Sequence, residues 1–427
     1  MKHDPGLQEV GGHAYLMGLA AAAPASPEIG ALAHILHEFA QRRALIRLGE
    51  ELVSASYEAP RERPAKVIAQ EATEALMRVD GAMRLPPIKP YEAGLVVLEQ
   101  AERALRGERK HGILTGFGKL DEVTGGLFGG EHVIVPGRSG MGKSGLLISM
   151  GLTAALAGHP VKAFNMDMRS VGWVQRTLCE LEWKMHPEER PIWHSKFRRG
   201  TLSNIEIGRL AEANRLLQDL PYEICDEGSM TLGAIVTQSR AFVSKHKGCL
   251  GMILVDFLQR VKPDERGRNR SEESEISDAA YGMRELAKQT DWVVTSAAQL
   301  KNKNTNPSTK QGELPPTAED IRGSGAIEMA GDIIFSPYRK AFFIQQREPD
   351  KVTDPVRWGE WRAELTEAEH NLRLLGFKFR DSSAIDLSGT YWCDMGSNSF
   401  RDERPIPASI ATDEAARQLA MGLDGGR

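Results

Sequence analysis

Cysteine is scarce in this chain. Its four residues among 427 (Cys179, Cys225, Cys249, Cys393) are far apart, and none forms a C-x-x-C pair. That spacing suggests neither a disulfide framework nor a zinc site, and it points to a reduced, cytoplasmic setting. The 11 histidines show no H-E-x-x-H or comparable ligand spacing. No apolar run reaches the roughly 18 residues of a membrane span, and the alanine-rich stretch 20–25 is short and broken by Pro24. Met1-Lys2-His3-Asp4-Pro5 is not followed by a signal-peptide core. Neither sign of charge dominates, since 54 basic against 58 acidic residues leave a net charge of −4. The whole chain is no polycation, so any nucleic-acid surface must be local, in a loop or a channel lining. No internal repeat is present. What remains, 41% hydrophobic and 26% charged residues, is ordinary globular composition, long enough for two or three domains at about 150 residues each.

The most informative stretch is Gly137-Arg138-Ser139-Gly140-Met141-Gly142-Lys143-Ser144. It fits G-x-x-x-x-G-K-[ST], the loop whose backbone N–H groups cradle phosphates. The run His132-Val133-Ile134-Val135 before it reads as a buried strand, and Gly145 to Met150 after it reads as the start of a helix. Glycines let the backbone turn inward around phosphate oxygens, and the helix N-terminus adds positive potential. Lys143 would reach the β- and γ-phosphates of ATP, and the Ser144 hydroxyl would ligate Mg²⁺.

Residues 1–80 read as a helical hairpin. Ser26-Pro27-Glu28 marks a helix start, apolar residues recur at helical spacing from Ile29 to about Ala55, and a second helix is expected over 64–79. Residues 81–110 read as a linker, with Pro86, Pro87 and Pro90 leading into a charged helix over 91–107 whose apolar side carries Leu95, Val96, Leu98 and Leu105. An isolated helix of that length is marginal in water, so it is expected to dock, with another subunit as the expected partner. From 111 to 404 short apolar runs (132–135, 161–166, 222–225, 252–256, 292–296, 332–335, 372–378, 390–394) alternate with helical segments. That is the pattern of an α/β domain with a mainly parallel sheet, helices on both faces, and antiparallel strands toward the C-terminus. Residues 405–427, rich in Pro, Ala and Gly, read as a mobile tail. Two polar loops, 262–275 and 301–316, each follow the C-terminal end of an expected strand, the edge where such sheets bind ligands, or else are ordinary solvated surface loops.

Further candidates lie at strand ends. Asp256 closes Gly251-Met252-Ile253-Leu254-Val255 and suits the Mg²⁺ shell beside a phosphate loop. Asp167 follows Ala163-Phe164-Asn165-Met166, where it is either a base for attacking water or a helix cap. Gln299 could hydrogen-bond a γ-phosphate, or sit in an ordinary turn. Lys378 and Arg380 fall on one face of a strand, either as an arginine finger toward a neighbouring subunit or as a surface pair. Arg322-Gly323-Ser324-Gly325 suits single-stranded nucleic acid held by its backbone, or is a flexible turn.

In sequence order these motifs resemble a known family. Residues 114–127 with Pro136 to Ser144, then Ile253 to Gln259, Arg268 to Ser277, Ala298-Gln299-Leu300 and Asp320 to Glu328, together resemble the RecA-like motor of DnaB-type replicative helicases. Residues 9–16 are similar to part of that family's helical N-terminal domain. The resemblance implies a RecA-like P-loop ATPase domain and a hexameric ring moving 5′→3′ on single-stranded DNA, with a helicase loader and a primase as possible partners. It implies that Gly137 to Ser144 bind ATP, that Lys143 and Ser144 bind its phosphates and Mg²⁺ with Asp256 supporting the metal, that Asp167 stands at the catalytic carboxylate position, and that Lys378 and Arg380 complete the neighbour's site. It also implies that Arg322, Gly323 and Gly325 contact the DNA backbone. Three departures stand out: Asp167 replaces the usual Glu, Gly323 replaces an acidic residue, and the N-terminal domain reads as shortened. A RecA/RadA-like ATPase that remodels or loads DNA without unwinding is the main alternative, but that class lacks the hairpin and docking helix. A third reading is a binding module in which Asp167 has lost hydrolysis.

Overall fold

The computed structural model describes residues 29–58, scattered positions from 65 to 75, then 89–106, 112–263, 271–300, 315–317, 320, 325–380, 387 and 389–403. It divides into two units, Met1–Arg109 and Lys110–Arg427.

In the first unit, α1 (Ile29–Glu58) is a 30-residue helix. The second arm expected over 64–79 lies mostly outside the described residues, and so does the proline-rich stretch 81–88. Pro90 opens α2 (Pro90–Leu105) at a position whose missing N–H costs nothing. Tyr91, Leu95, Leu98 and Leu105 of α2 are exposed.

The second unit is built on a nine-stranded sheet in the order β3-β2-β4-β5-β1-β6-β7-β8-β9. Its parallel part is β1 (His132–Gly137), β2 (Val161–Asn165), β3 (Tyr222–Asp226), β4 (Met252–Asp256), β5 (Val293–Gln299) and β6 (Ile333–Tyr338). Antiparallel β7 (Asn371–Phe379), β8 (Tyr391–Asp394) and β9 (Ser399–Arg401) finish it. Each apolar run of the sequence holds a strand. Only β9, three residues long, is too short to carry a readable period.

Every residue of β1 and β4 is buried, as expected for central strands covered on both faces. Alternation still operates within them. Val133, Val135, Met252 and Leu254 join the core that includes Leu146, Leu147, Met150 and Trp173. Ile134, Ile253 and Val255 join the opposite core with Ile235, Met283, Leu286 and Trp292. The helices behind the first core are α4 (Lys143–Leu156) and α5 (Ser170–Met185), and those behind the second are α8 (Leu232–Lys245) and α9 (Glu272–Thr290). The other helices are α3 (Gly118–Thr124), α6 (Ser195–Arg199), α7 (Asn204–Asp219), α10 (Gly325–Ala330), α11 (Lys340–Gln345) and α12 (Pro355–Ala368). α7 starts at a capping box in which Ser203 and Glu206 satisfy each other's backbone N–H. No described helix is long and apolar enough to cross a membrane.

The connection from β6 to β7 folds back as α11 and α12. Ala341, Ile344, Trp361, Leu365 and Ala368 form a small core of their own, and the Trp361 indole N–H donates to the Ile344 carbonyl at 2.7 Å. Asp354 caps α12 by accepting from the Arg357 N–H at 3.0 Å, with Pro355 in the first turn.

His132 fastens the base of β1. Its buried ring places Nδ1 3.2 Å from the Ala330 carbonyl and Nε2 3.0 Å from the Ser296 hydroxyl. The carbonyl can only accept, so Nδ1 donates, and in the neutral ring that burial favours Nε2 accepts from the Ser296 hydroxyl. Burial pushes its pKa down to about 4. The unfolded chain then binds the extra proton first, so this site loses stability as pH falls from about 6.5 toward 4. Denaturant melts of the protein and of His132→Gln should show the stability difference between them shrinking by about 2.5 kcal/mol between pH 7.5 and pH 4.5.

Candidate active site

β1 delivers Gly137 to the C-terminal edge of the sheet, and α4 leaves from Lys143. The turn between them needs glycine on two counts. Gly140 (φ 81°) and Gly142 (φ 96°) adopt left-handed backbone. A Cβ on Gly140 would also overlap the Phe342 ring of α11. Buried Met141 anchors the loop from beneath, and the Arg138 guanidinium lies 6.0 Å from the centre of the Phe343 ring. Gly142 caps α4 without a side chain, so the first turn of α4 receives no side-chain cap, as an anion site needs. The Lys143 ammonium donates to the carbonyls of Gly137 (2.9 Å) and Arg138 (3.1 Å). Burial lowers the Lys143 pKa, and the charges of Asp256 and Asp167 oppose that shift.

Strands β2, β4, β5 and β1 are successive neighbours, so their C-terminal ends converge. Gly137 pairs with Gln299, and Asn165 pairs with Asp256. Asp256 is 1% exposed, and neither carboxylate oxygen has a hydrogen-bond partner of good geometry. Burial pushes its pKa up to about 6. The Ser144 hydroxyl leans toward it and favours the charged form, Asp167 opposes ionisation, and Lys143 favours it. A buried acid with no well-aligned donor, beside a serine hydroxyl, fits a hard divalent cation that takes oxygen ligands.

Asp167 stands just past the end of β2 and is 44% exposed, with Arg260 Nη2 at 3.8 Å. It is not the helix cap allowed by the sequence. α5 begins at Ser170, and the Ser170 N–H donates to Asp226 Oδ2 at 2.8 Å instead. Asn165 fixes the intervening turn through Nδ2 to the Met168 carbonyl (2.6 Å) and Oδ1 from the Met168 N–H (3.2 Å). Asp167 therefore faces the loop edge rather than serving α5.

Gln299 ends β5 exposed, and its backbone is clamped by Gln259. The Gln259 amide donates to the Gln299 carbonyl and accepts from the Gln299 N–H, both at 3.0 Å. This bracket between the β4 and β5 edges was not legible as a role in the sequence. Neither was the turn between β8 and β9. Asn398 (φ 55°) donates to the Gly145 carbonyl at 3.2 Å and to Glu180 at 3.0 Å. The Ser149 hydroxyl donates to the same buried carboxylate at 2.6 Å. Met395 of this turn lies against Gly142. Upstream, Asp121 accepts from the Thr115 N–H (2.8 Å) and hydroxyl (2.7 Å) and from the Gly116 N–H (3.1 Å). That carboxylate locks the approach to β1.

The basic pair is elsewhere. Pro337, near the end of β6, packs beside Gly137, whereas the Arg380 backbone bonds to Asp332, at the start of β6. Five residues of strand, ~17 Å, separate those levels. Lys378 Nζ donates to the Glu328 carbonyl at 2.6 Å, and Arg380 Nη1 donates to Asp332 Oδ1 at 2.7 Å. Both side chains are turned to the segment before β6, away from the phosphate loop of the same chain. Arg322 and Gly323 lie outside the described residues, as do 264–270 and 301–314. Gly325 opens α10 with free space where a Cβ would stand.

Known proteins match this chain over the same span. The family described as DnaB-like helicase C terminal domain matches residues 112–366. A replicative DNA helicase DnaB from Leifsonia xyli subsp. xyli is 28% identical over 367 residues, covering 85% of this chain and 74% of the relative. One from Rickettsia bellii is 27% identical over 351 residues, covering 79% and 68%. A solved DnaB-like replicative helicase, described with its interactions with primase, superposes with a TM-score of 0.63 at 21% identity, covering 94% of this chain and 85% of that one. This last likeness is one of fold.

The raised pKa of Asp256 has a stability consequence. The folded chain holds a proton that the unfolded chain has already released, so stability falls as pH rises from about 4 to 6 and stays low above that. Asp256→Asn should therefore stabilise the nucleotide-free protein by about 3 kcal/mol at pH 8, and by about half as much at pH 5, in chemical denaturation.

Proposed function

The chain belongs to the DnaB-like helicase C-terminal-domain family of ATP-hydrolysing DNA helicases, and we propose that it works as a ring, a hexamer by family likeness, moving 5′→3′ along single-stranded DNA to separate strands during replication. The observation that carries this reading is the division of the site between two edges of the sheet. Phosphate loop, Asp256, Asp167 and Gln299 gather at the C-terminal edge, while Lys378 and Arg380 are held at the level of Asp332. That division supports the reading in which a neighbouring copy brings the basic pair.

Gly137 to Ser144 would bind the triphosphate of ATP. On binding, Lys143 would exchange the carbonyls of Gly137 and Arg138 for phosphate oxygens, a stronger charge-assisted contact. Ser144 and Asp256 would hold Mg²⁺, which neutralises charge building up on the phosphates. Asp167, exposed at the loop edge, would orient and deprotonate the attacking water. Gln299, its backbone gripped by Gln259, would sense the γ-phosphate and pass its loss to the 301–316 loop. Arg322, Gly323 and Gly325 would grip the DNA backbone, and Arg380 of an adjacent copy would stabilise the transition state. The exposed apolar residues of α2 (Tyr91, Leu95, Leu98, Leu105) support a docking role on that copy. A loader and a primase fit the same reading as partners, and the cytoplasm fits as its place of work.

A fork with a free 5′ tail and one with only a 3′ tail test the activity directly. Mg-ATP-dependent separation of the 5′-tailed fork alone is the expected result, and ATP hydrolysis without separation of either fork would favour the remodelling ATPase. Asp167→Ala should lower kcat for ATP about 100-fold or more, and an unchanged kcat would remove it from the mechanism. Mixing Arg380→Ala subunits with Lys143→Ala subunits should recover hydrolysis that neither shows alone, because some sites then combine an intact loop with an intact arginine.

A further inference from the structure

Resting on the trans role of Arg380, we propose that Asp332 is its positioning residue, holding the guanidinium ready at the subunit face that meets the neighbour's nucleotide. Asp332 is the last residue before β6 and is nearly buried, while the Arg380 side chain is 58% exposed. A buried carboxylate thus grips an arginine whose remaining surface faces outward. Exposed ion pairs contribute little, because two long side chains must be ordered in water. Here one partner is already immobile. Oδ2 accepts the backbone N–H of His132 at 3.1 Å. The Asp332 N–H donates to the His132 carbonyl at 2.8 Å, and the Asp332 carbonyl accepts the Arg380 N–H at 3.1 Å. Carboxylate and arginine backbone are fixed to the same sheet edge, so the guanidinium has few directions left.

A second arginine makes this hold reversible. Arg284 of α9 shares Oδ1 of Asp332 at 3.3 Å and braces the Met329 carbonyl at 2.6 Å. When Arg380 turns toward a phosphate, Arg284 and the His132 N–H still satisfy the buried carboxylate. Without Arg284, that turn would strand a buried charge, which is costly. The cluster therefore combines two properties that a trans-acting arginine needs: a defined resting place, and a release that leaves no orphaned charge. Ordering a catalytic group before it acts is a recognised source of rate.

The test is steady-state ATP hydrolysis by the full-length protein on single-stranded DNA, for Arg380→Ala, Asp332→Asn, Asp332→Glu and the double variant Asp332→Asn/Arg380→Ala. Asp332→Asn should lower kcat about 10-fold with KM for ATP within about twofold. In the Arg380→Ala background the same change should shift kcat by less than about twofold, since the residue it positions is gone. Asp332→Glu keeps the charge and should restore part of the rate, and it stands in if the Asn variant fails to fold. Lys143→Ala subunits should rescue Asp332→Asn subunits as they rescue Arg380→Ala. Additive losses in the double variant, or rescue of Arg380→Ala but not of Asp332→Asn, would overturn the assignment and leave Asp332 a structural residue. If Arg380→Ala leaves kcat unchanged, the trans reading itself falls, and this inference with it.

Discussion

Strand β1 is the reference to which the described candidate groups at both edges of the sheet are registered. It lies between β5 and β6 in parallel pairing, so the sheet has a defined direction along its length. Gly137 at one end opens the phosphate loop, and His132 at the other fixes Asp332 and, through it, Arg380. Parallel hydrogen bonding makes this geometry rigid, because a slip of one residue would send every buried side chain of β1 to the wrong core. The separation between the nucleotide edge and the arginine edge is a consequence of strand length alone. Lys378 and Arg380 therefore rest at the opposite end of the sheet from the phosphate loop of their own chain.

At the nucleotide edge, function opposes stability. Asp256 is buried without a hydrogen-bond donor of good geometry, and Lys143 is desolvated with its ammonium turned onto the carbonyls of its own loop. Replacing the acid with a neutral amide would relieve the folded chain of that cost. Strained electrostatics at a site that must bind charge is an expected exchange.

Packing on the outside of the phosphate loop is as specific as the chemistry within it. Phe342 closes on Gly140, Met395 closes on Gly142, and Asn398 reaches the Gly145 carbonyl. The first contact comes from the helical connection between β6 and β7, and the other two from the turn between β8 and β9. Elements far downstream in the chain therefore hold the loop from two sides, while Glu180 and Ser149 tie that turn to α4 and α5.

Much of this was legible in the amino-acid order. Phosphate loop, Asp256 and the apolar runs are local signals, each contained in a few consecutive residues whose chemistry or periodicity needs no distant partner. Eight of the nine strands could be read from such runs, and β9 escaped because three residues carry no period. Long-range pairings stayed hidden. Gln259 on the Gln299 backbone, Asp332 under Arg380, Asn398 on α4 and Asp226 capping α5 in place of Asp167 all join residues that only the sheet order brings together. The sequence by itself determined where the phosphate-loop pattern lies and which segments are strands, because those properties reside in neighbouring residues. Tertiary structure alone decided which carboxylate is left unpartnered, which arginine is held away from its own phosphate loop, and what holds it there, because burial and strand register are properties of the assembled sheet.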